Sequence, residues 1–427
     1  YGLTPPIVEL VRAKGADVLI TVDNGISSID GVAAAKAAGL RVLITDHHLA
    51  AAQLPAADAI VNPNLPGDAF PSKALAGVGV MFYVLLALRA RLRAVDWFAH
   101  EGLREPNFAE LLDLVALGTV ADVVPLDANN RRLVAQGLAR IRAGRACAGV
   151  NALLKIAGRD HVRVLASDLG FAVGPRLNAA GRLADMSLGI ECLLSDEPAR
   201  CARIAQELDA LNRERRSIER DMKEQALDQV LHTLPDTGEL PHGICVFDPT
   251  WHQGVVGIVA GRLKELYHRP TIAFAVAGAD ELKGSGRSIP GVHIRDVLDA
   301  VATRHAGLLS RFGGHAMAAG LSLPVARYEE FAQAFDRAIA ADVDPALLMQ
   351  VLYTDGELAP TDMTLELARL LTGAAPWGQA FPEPLFDGEF EVRQRRVVGN
   401  DHLRLDVVCG GNAFQAIAFN AAEAAWA

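Results

Sequence analysis

Arg41-Val42-Leu43-Ile44-Thr45-Asp46-His47-His48 is the stretch on which the fold turns. A strand-like apolar run ends there in an acid and two imidazoles. The run before it, Asp17-Val18-Leu19-Ile20-Thr21-Val22, ends in Asp23. Between the two, residues 27–38 carry an alanine-rich helical pattern stopped by Gly39. Strand, helix and strand at this spacing predict a right-handed crossover and a parallel sheet. Asp23 and Asp46 then lie side by side at the carboxyl edge of that sheet, where open α/β folds bind ligands. Two carboxylates and two imidazoles gathered there suit a divalent metal and point to chemistry on phosphate.

Outward from this unit, Ala59-Ile60-Val61 reads as a third strand. Residues 74–91 and 108–120 read as helices, the second almost wholly apolar and therefore buried. Asp196-Glu197-Pro198 is a helix start, and a pattern rich in Glu, Arg, Lys and Leu runs from it to about residue 232. That is one long connecting helix; the alternative, a coiled-coil arm, lacks a regular heptad. A second α/β unit follows, with strands at 243–247 and 271–276 and helices at 254–267 and 292–304. Gly284-Ser285-Gly286-Arg287-Ser288 reads as a turn or short strand edge. Beyond residue 343, one helix (361–371) joins runs at 389–398 and 402–408 that alternate apolar and polar, as half-buried antiparallel strands do. A small β-barrel is expected. The domains expected are therefore 1–195, 196–235 (the connecting helix), 236–342 and 343–427.

The 427 residues exceed one ordinary core, and 51% hydrophobic content can fill several. A net charge of −10 argues against a nonspecific nucleic-acid coat protein but allows a local basic groove. Cys147, Cys192, Cys201, Cys245 and Cys409 are odd in number, scattered in apolar contexts and without metal spacing, as in a reduced cytoplasm. Charges interrupt every apolar stretch before about 20 residues, so no membrane span is expected, and no secretory signal is visible. The chain opens at Tyr1 without methionine and ends soon after Ile417-Ala418-Phe419-Asn420, a strand-like run. It reads as a piece of a longer protein, or as a processed or engineered N-terminus.

Asp23 alone is better explained as a helix N-cap or turn acid. Beside Asp46-His47-His48 on the neighbouring strand end, it becomes a ligand candidate. Asp122, in Gly118-Thr119-Val120-Ala121-Asp122-Val123-Val124-Pro125, is an acid in an apolar run that must be paired or ligated. Two Asp and a His are hard ligands suited to Mn²⁺ or Mg²⁺. A pair of such ions about 3.5–4 Å apart would activate water and neutralise phosphate, but normally takes more acids than these. Three glycine-rich clusters carry polar groups: Gly174-Pro175-Arg176-Leu177-Asn178-Ala179-Ala180-Gly181-Arg182, Gly284 to Ser288, and Gly313-Gly314-His315. Glycine lets backbone approach an anion and arginine grips phosphate with two prongs, though each cluster alone is as well an ordinary loop. Trp251-His252-Gln253-Gly254 opens a helix whose N-terminus could face phosphate.

Jointly and in order, these motifs resemble the DHH phosphoesterase superfamily. Thr-Val-Asp-Asn-Gly at Asp23, Asp46-His47-His48 and Ala-Asp-Val-Val-Pro at Asp122 match its catalytic domain. Gly-Ser-Gly-Arg-Ser and Gly-Gly-His-Ala-Met-Ala-Ala-Gly match its DHHA1-type substrate domain. Gly-Pro-Arg-Leu-Asn-Ala-Ala-Gly-Arg, the long helix and the last β-rich segment narrow the resemblance to bacterial 5′→3′ exonucleases of single-stranded DNA. The fold implied is α/β: a parallel-sheet DHH domain incomplete at its N-terminus, the connecting helix, a smaller α/β domain and a partial OB-like barrel.

The resemblance further implies Asp23, His47 and Asp122 as metal ligands, His48 beside the scissile phosphate and Asp46 supporting the triplet. Arg176, Asn178 and Arg182 would line the strand's path. Ser285 and Arg287 would hold the 5′ end, His315 would meet a phosphate, and Ser288, Gly313 and Gly314 would belong to the substrate-binding surface. A two-ion Mn²⁺ or Mg²⁺ site is implied, as is work in repair and recombination, as a monomer in the bacterial cytoplasm, beside a helicase and single-stranded-DNA-binding protein. The terminal β-domain would be a platform for single strands. One departure matters: the family's upstream Asp-x-Asp ligands are absent, so these residues alone are expected to be weak or inactive. Two other readings are a short-oligonucleotide or small-molecule phosphoesterase of the same superfamily, and a non-catalytic module that only grips single strands.

Overall fold

A computed structural model describes residues 2–233, 240–278, 280–399 and 401–422. The boundary expected at 235–236 and the last residues, 423–427, lie outside them. The chain forms two compact units. The first takes residues up to Ala146, Asp160–Phe171 and the segment from Leu352 on; the second takes Cys147–Arg159 and Ala172–Val351. This grouping differs from the serial division above: the long helix packs on the helices Ala148–Ile156 and Gly174–Leu183 before it as well as on the α/β module after it, and the segment from Leu352 groups with the first unit.

In the first unit, β1 (Val18–Val22), β2 (Arg41–Thr45) and β3 (Ala59–Val61) form a parallel sheet in that order. Val22 pairs with Thr45 and Thr45 with Val61, so the three strands end level. Helix Ile29–Ala37 crosses between β1 and β2, and its Val32 and Ala35 bury against Leu19, Val42 and Ile44. The expected helices appear as Gly77–Ala94 and Leu112–Ala121, the latter preceded by a 3₁₀ turn at Phe108–Leu111. The terminal segment of this unit carries helix Leu365–Ala374 and an antiparallel meander of β9 (Glu391–Val398), β10 (His402–Cys409) and β11 (Asn412–Ala418), with β10 central.

The second unit is organised around one helix, Pro198–Thr233, 36 residues long. Its sheet runs β4 (Ile244–Phe247), β5 (Thr271–Val276), β6 (Glu281–Arg287), β8 (Ala318–Pro324), β7 (Arg311–Gly314). Only β4 and β5 are parallel. The Gly284–Ser288 stretch, expected as a turn or edge, is mostly an interior strand: Gly284, Ser285, Gly286 and Arg287 pair on one side with β5 and on the other with β8. Strand pairing is possible because Gly284 and Gly286 face the core, where Phe274 and Ile294 fill the space a side chain would need. Among the described residues no helix is long and apolar enough to cross a membrane.

Candidate metal centre and anion pocket

In the first unit the level ends of β1 and β2 bring Asp23 and Asp46 together. Asp23 donates its backbone N–H to Thr45 O (3.0 Å) and adopts φ +65°, turning its side chain out of the strand line. Asp46 is 1% exposed and accepts from Ile26 N (3.0 Å), His47 N (2.7 Å), His48 N (3.2 Å) and His48 Nδ1 (2.7 Å). Burial works against its charge, yet the His48 ring and the three backbone donors outweigh that and hold its carboxyl down to about 2. Asp46 is thus the brace of the triplet, and through Nδ1 it leaves neutral His48 with its lone pair on Nε2.

His47 Nε2 lies 2.9 Å from Asp23 Oδ1 and 3.4 Å from Asp122 Oδ2. Asp122 reaches this point as the C-cap of helix Leu112–Ala121. The nitrogen is buried and neither carboxylate meets it at a hydrogen-bonding angle. Ligand-type atoms of Asp23, His47 and His48 lie within 4.8 Å of one another. A buried imidazole nitrogen close to two carboxylates, but not hydrogen-bonded to them, fits a shared cation better than an ion pair. The charge balance agrees. Burial raises the Asp122 carboxyl, and Asp23 adds to that, more than His47 and His48 pull it down. For His47, burial opposes protonation, but the two carboxylates outweigh it. These residues could hold a cation through Asp23, His47 and Asp122, with His48 at its side.

Three further residues shape the centre and were not singled out in the sequence. Asn62 Nδ2 donates to His48 O (2.8 Å) and Asn64 Nδ2 to His47 O (2.6 Å), clamping the triplet's backbone from the end of β3. Asn-Pro-Asn directly after a strand was the available signal. Gly77 opens its helix against Asp23: a Cβ there would lie 2.5 Å from Asp23 Cβ and 2.6 Å from Oδ1.

In the second unit, Ser285 and Arg287 share one face of β6. Arg287 Nη1 donates to Ser285 Oγ (3.0 Å) and to Gly286 O (2.8 Å). Helix Val256–Tyr267 begins over this pair, with Gly257 where a Cβ would sit 2.8 Å from both Arg287 Nη2 and Ser285 Oγ. Across the sheet, Ser285 pairs with Gly320 and Gly320 with Gly313, and nothing lies within 4 Å of where either glycine's Cβ would be. The polar face therefore continues as bare backbone, which an extended ligand can approach. Burial, and then the nearby charge of Arg182, make the Arg287 guanidinium easier to deprotonate than usual. Among the described residues no ion pair joins either arginine to a carboxylate, so this face could take an anion.

The remaining candidates are placed differently. Arg176 is engaged by protein: its Nε and Nη2 meet Asp209 Oδ1 at 2.9 and 2.8 Å and its Nη1 meets Ala172 O at 2.6 Å. Ser288 is 1% exposed and donates to Val292 O (2.6 Å), closing a turn rather than facing a ligand. Asn178 is exposed on helix Gly174–Leu183. Gly314 ends β7, and His315 is exposed in the hairpin after it, its N–H bonded to Ala318 O (2.8 Å).

Family models match in three places: "DHH family, N-terminal domain" at residues 3–119, "DHHA1 domain" at 241–341 and "RecJ OB domain" at 354–427. The single-stranded-DNA-specific exonuclease RecJ of Dickeya dadantii is 56% identical over 428 residues, spanning 100% of this chain and 74% of that protein. The chain belongs to the RecJ family. RecJ of Escherichia coli is 55% identical with the same coverage. RecJ of Thermus thermophilus, solved in complex with Mn²⁺, matches with a TM-score of 0.81 at 30% identity over 99% of this chain and 59% of that one. The same protein solved with Mg²⁺ gives 0.70 at 29% identity. The chain thus spans less than two thirds of the solved RecJ structure it resembles.

Proposed function

We propose that this chain cleaves phosphodiester bonds of single-stranded DNA from the 5′ end with Mn²⁺ or Mg²⁺. The observation that carries this is the meeting of Asp23 and Asp122 on buried His47 Nε2, at 2.9 and 3.4 Å, with His48 braced beside them. Asp23, His47 and Asp122 would hold the ion. When bound, such ions polarise phosphate and lower the pKa of water. The chain's own residues do the rest. Asp46 fixes His48 through Nδ1, so that Nε2 can accept or deliver a proton as the ester bond breaks. Ser285 and Arg287, with Arg182, hold the strand's terminal phosphate. Asn178, Gly313, Gly314 and His315 would meet phosphates along the strand.

The meander of the first unit supports single-strand binding. Exposed Arg396 pairs directly with half-buried Arg404, and half-buried His402 meets exposed Phe419 edge-on at 5.3 Å, a basic and aromatic face of the kind on which bases lie. Work in repair and recombination, as a cytoplasmic monomer beside a helicase and single-stranded-DNA-binding protein, accords with this reading. Two acids and an imidazole are few for two ions, so turnover by these 427 residues alone is expected to be weak. The test is release of 5′-labelled nucleotide from single strands with Mn²⁺. His48→Ala is expected to abolish it while strand binding persists; release unchanged by that substitution overturns the reading.

A further inference from the structure

The turn before helix Val256–Tyr267 meets Arg182, the first turn of the helix itself meets Ser285 and Arg287, and the turn holds His252. His252 Nδ1 accepts the N–H of Gly254 (3.0 Å). A neutral ring with Nδ1 as acceptor carries its proton on Nε2, and His252 is exposed, so that donor is open to a ligand. The same Gly254 accepts Arg182 Nη1 on its carbonyl (2.8 Å). A Cβ on Gly254 would sit 2.7 Å from Arg182 O and 3.1 Å from His252 Cε1 and Nδ1, so arginine, glycine and imidazole are packed against one another. Three residues on, Gly257 lies against Arg287 and Ser285. Trp251, 4% exposed, anchors the turn by donating Nε1–H to Gln225 Oε1 (2.7 Å) on the long helix.

We propose that His252 is a specificity-determining residue, its Nε2–H donating to the 5′-terminal phosphate, with Gly254 positioning both it and Arg182. The inference rests on the reading of Arg182, Ser285 and Arg287 as the 5′-end pocket and deepens it. An internal diester offers two free oxygens and one negative charge. A terminal monoester offers three oxygens and nearly two charges at neutral pH. Two guanidinium groups and one hydroxyl already match the smaller demand, and a further neutral donor favours the monoester without adding a charge that would also attract diesters.

The experiment measures binding of a fluorescent oligothymidine carrying either a 5′-phosphate or a 5′-hydroxyl, in EDTA so that no cleavage intervenes. The protein is compared with His252→Asn, His252→Gln and Arg287→Ala. Asparagine keeps an acceptor where Nδ1 was and lacks the outward donor, whereas glutamine places an amide N–H near Nε2. A hydrogen bond to a charged group is worth roughly tenfold in affinity or more. His252→Asn is therefore expected to lose about that much of the preference for phosphorylated strands, with 5′-hydroxyl binding and thermal midpoint unchanged, and His252→Gln to recover part of it. If Arg287→Ala abolishes the preference and His252→Asn leaves it whole, the assignment of His252 is overturned and the pocket stands. If the unsubstituted protein shows no preference, the pocket reading falls and the inference with it.

Discussion

Gly77→Ala tests the metal centre at its tightest point. The new Cβ would be built 2.5 Å from Asp23 Cβ, 2.6 Å from Oδ1 and 2.7 Å from Cγ. Ordinary carbon contacts lie near 3.5–4.0 Å, so something must move by about 1 Å. Asp23 cannot yield by rotation of its backbone: φ +65° is a narrow well for a residue with a side chain, and its N–H is fixed to Thr45 O. The helix start cannot retreat freely either, since Leu75, Ala76 and Val80 around it are buried. Asp23 Oδ1 is therefore expected to leave its place 2.9 Å from His47 Nε2. Overpacking costs about 1–3 kcal/mol, and replacing glycine in a helix returns about 0.5–1. The net stability change is small beside the loss of geometry, since a shift of ~1 Å in a reacting group can cost about a hundredfold in rate. Titration of Mn²⁺ by calorimetry, with circular dichroism as control, is expected to show affinity at least about tenfold weaker in a folded protein, the loss seen when residues supporting metal ligands are changed. Unchanged Mn²⁺ affinity in a folded Gly77→Ala protein refutes the placement of Asp23 in the site.

Asp46→Ala strands the N–H groups of Ile26, His47 and His48, and is expected to destabilise by on the order of 3 kcal/mol in urea unfolding. Arg176→Ala is expected to cost about 1–3 kcal/mol, because Asp209 keeps its bond to Arg213, while oligonucleotide affinity is unaltered; a large affinity loss would restore Arg176 to the strand's path. Arg404→Ala on the meander is expected to lower the slope of log affinity against log salt by about 0.7, as for one phosphate contact to a single strand. Val123→Gly removes a β-branched residue from φ +60° and is expected to stabilise by about 1 kcal/mol in thermal unfolding while weakening Mn²⁺ binding through Asp122.

The crossover, the parallel sheet and the triplet were legible because their signals are local: period, a helix stop and polar residues directly after apolar runs. The interior strand carrying Ser285 and Arg287 reads as a turn or short strand edge because glycine marks turns more often than strands. Its glycines answer instead to Phe274 and Ile294, which no local pattern announces. Arg176 and Ser288 are ligand contacts by resemblance alone, and their protein partners, Asp209 and the carbonyl of Val292, appear only once helices pack and a turn closes. Gly77 was missed because its neighbour in space lies 54 residues away in sequence. The deeper gap concerns backbone. Asp23 and Val123, the residue after Asp122, both occupy the left-handed region, which costs on the order of 1–3 kcal/mol for residues with side chains. Asparagine or glycine would sit there at less cost. Strain at Asp23 and directly after Asp122, whose own φ is −77°, is what a site shows when ligand direction outweighs local comfort. At Asp23 and Val123 backbone preference and ligand direction disagree, and a reading by propensity passes over them for that reason.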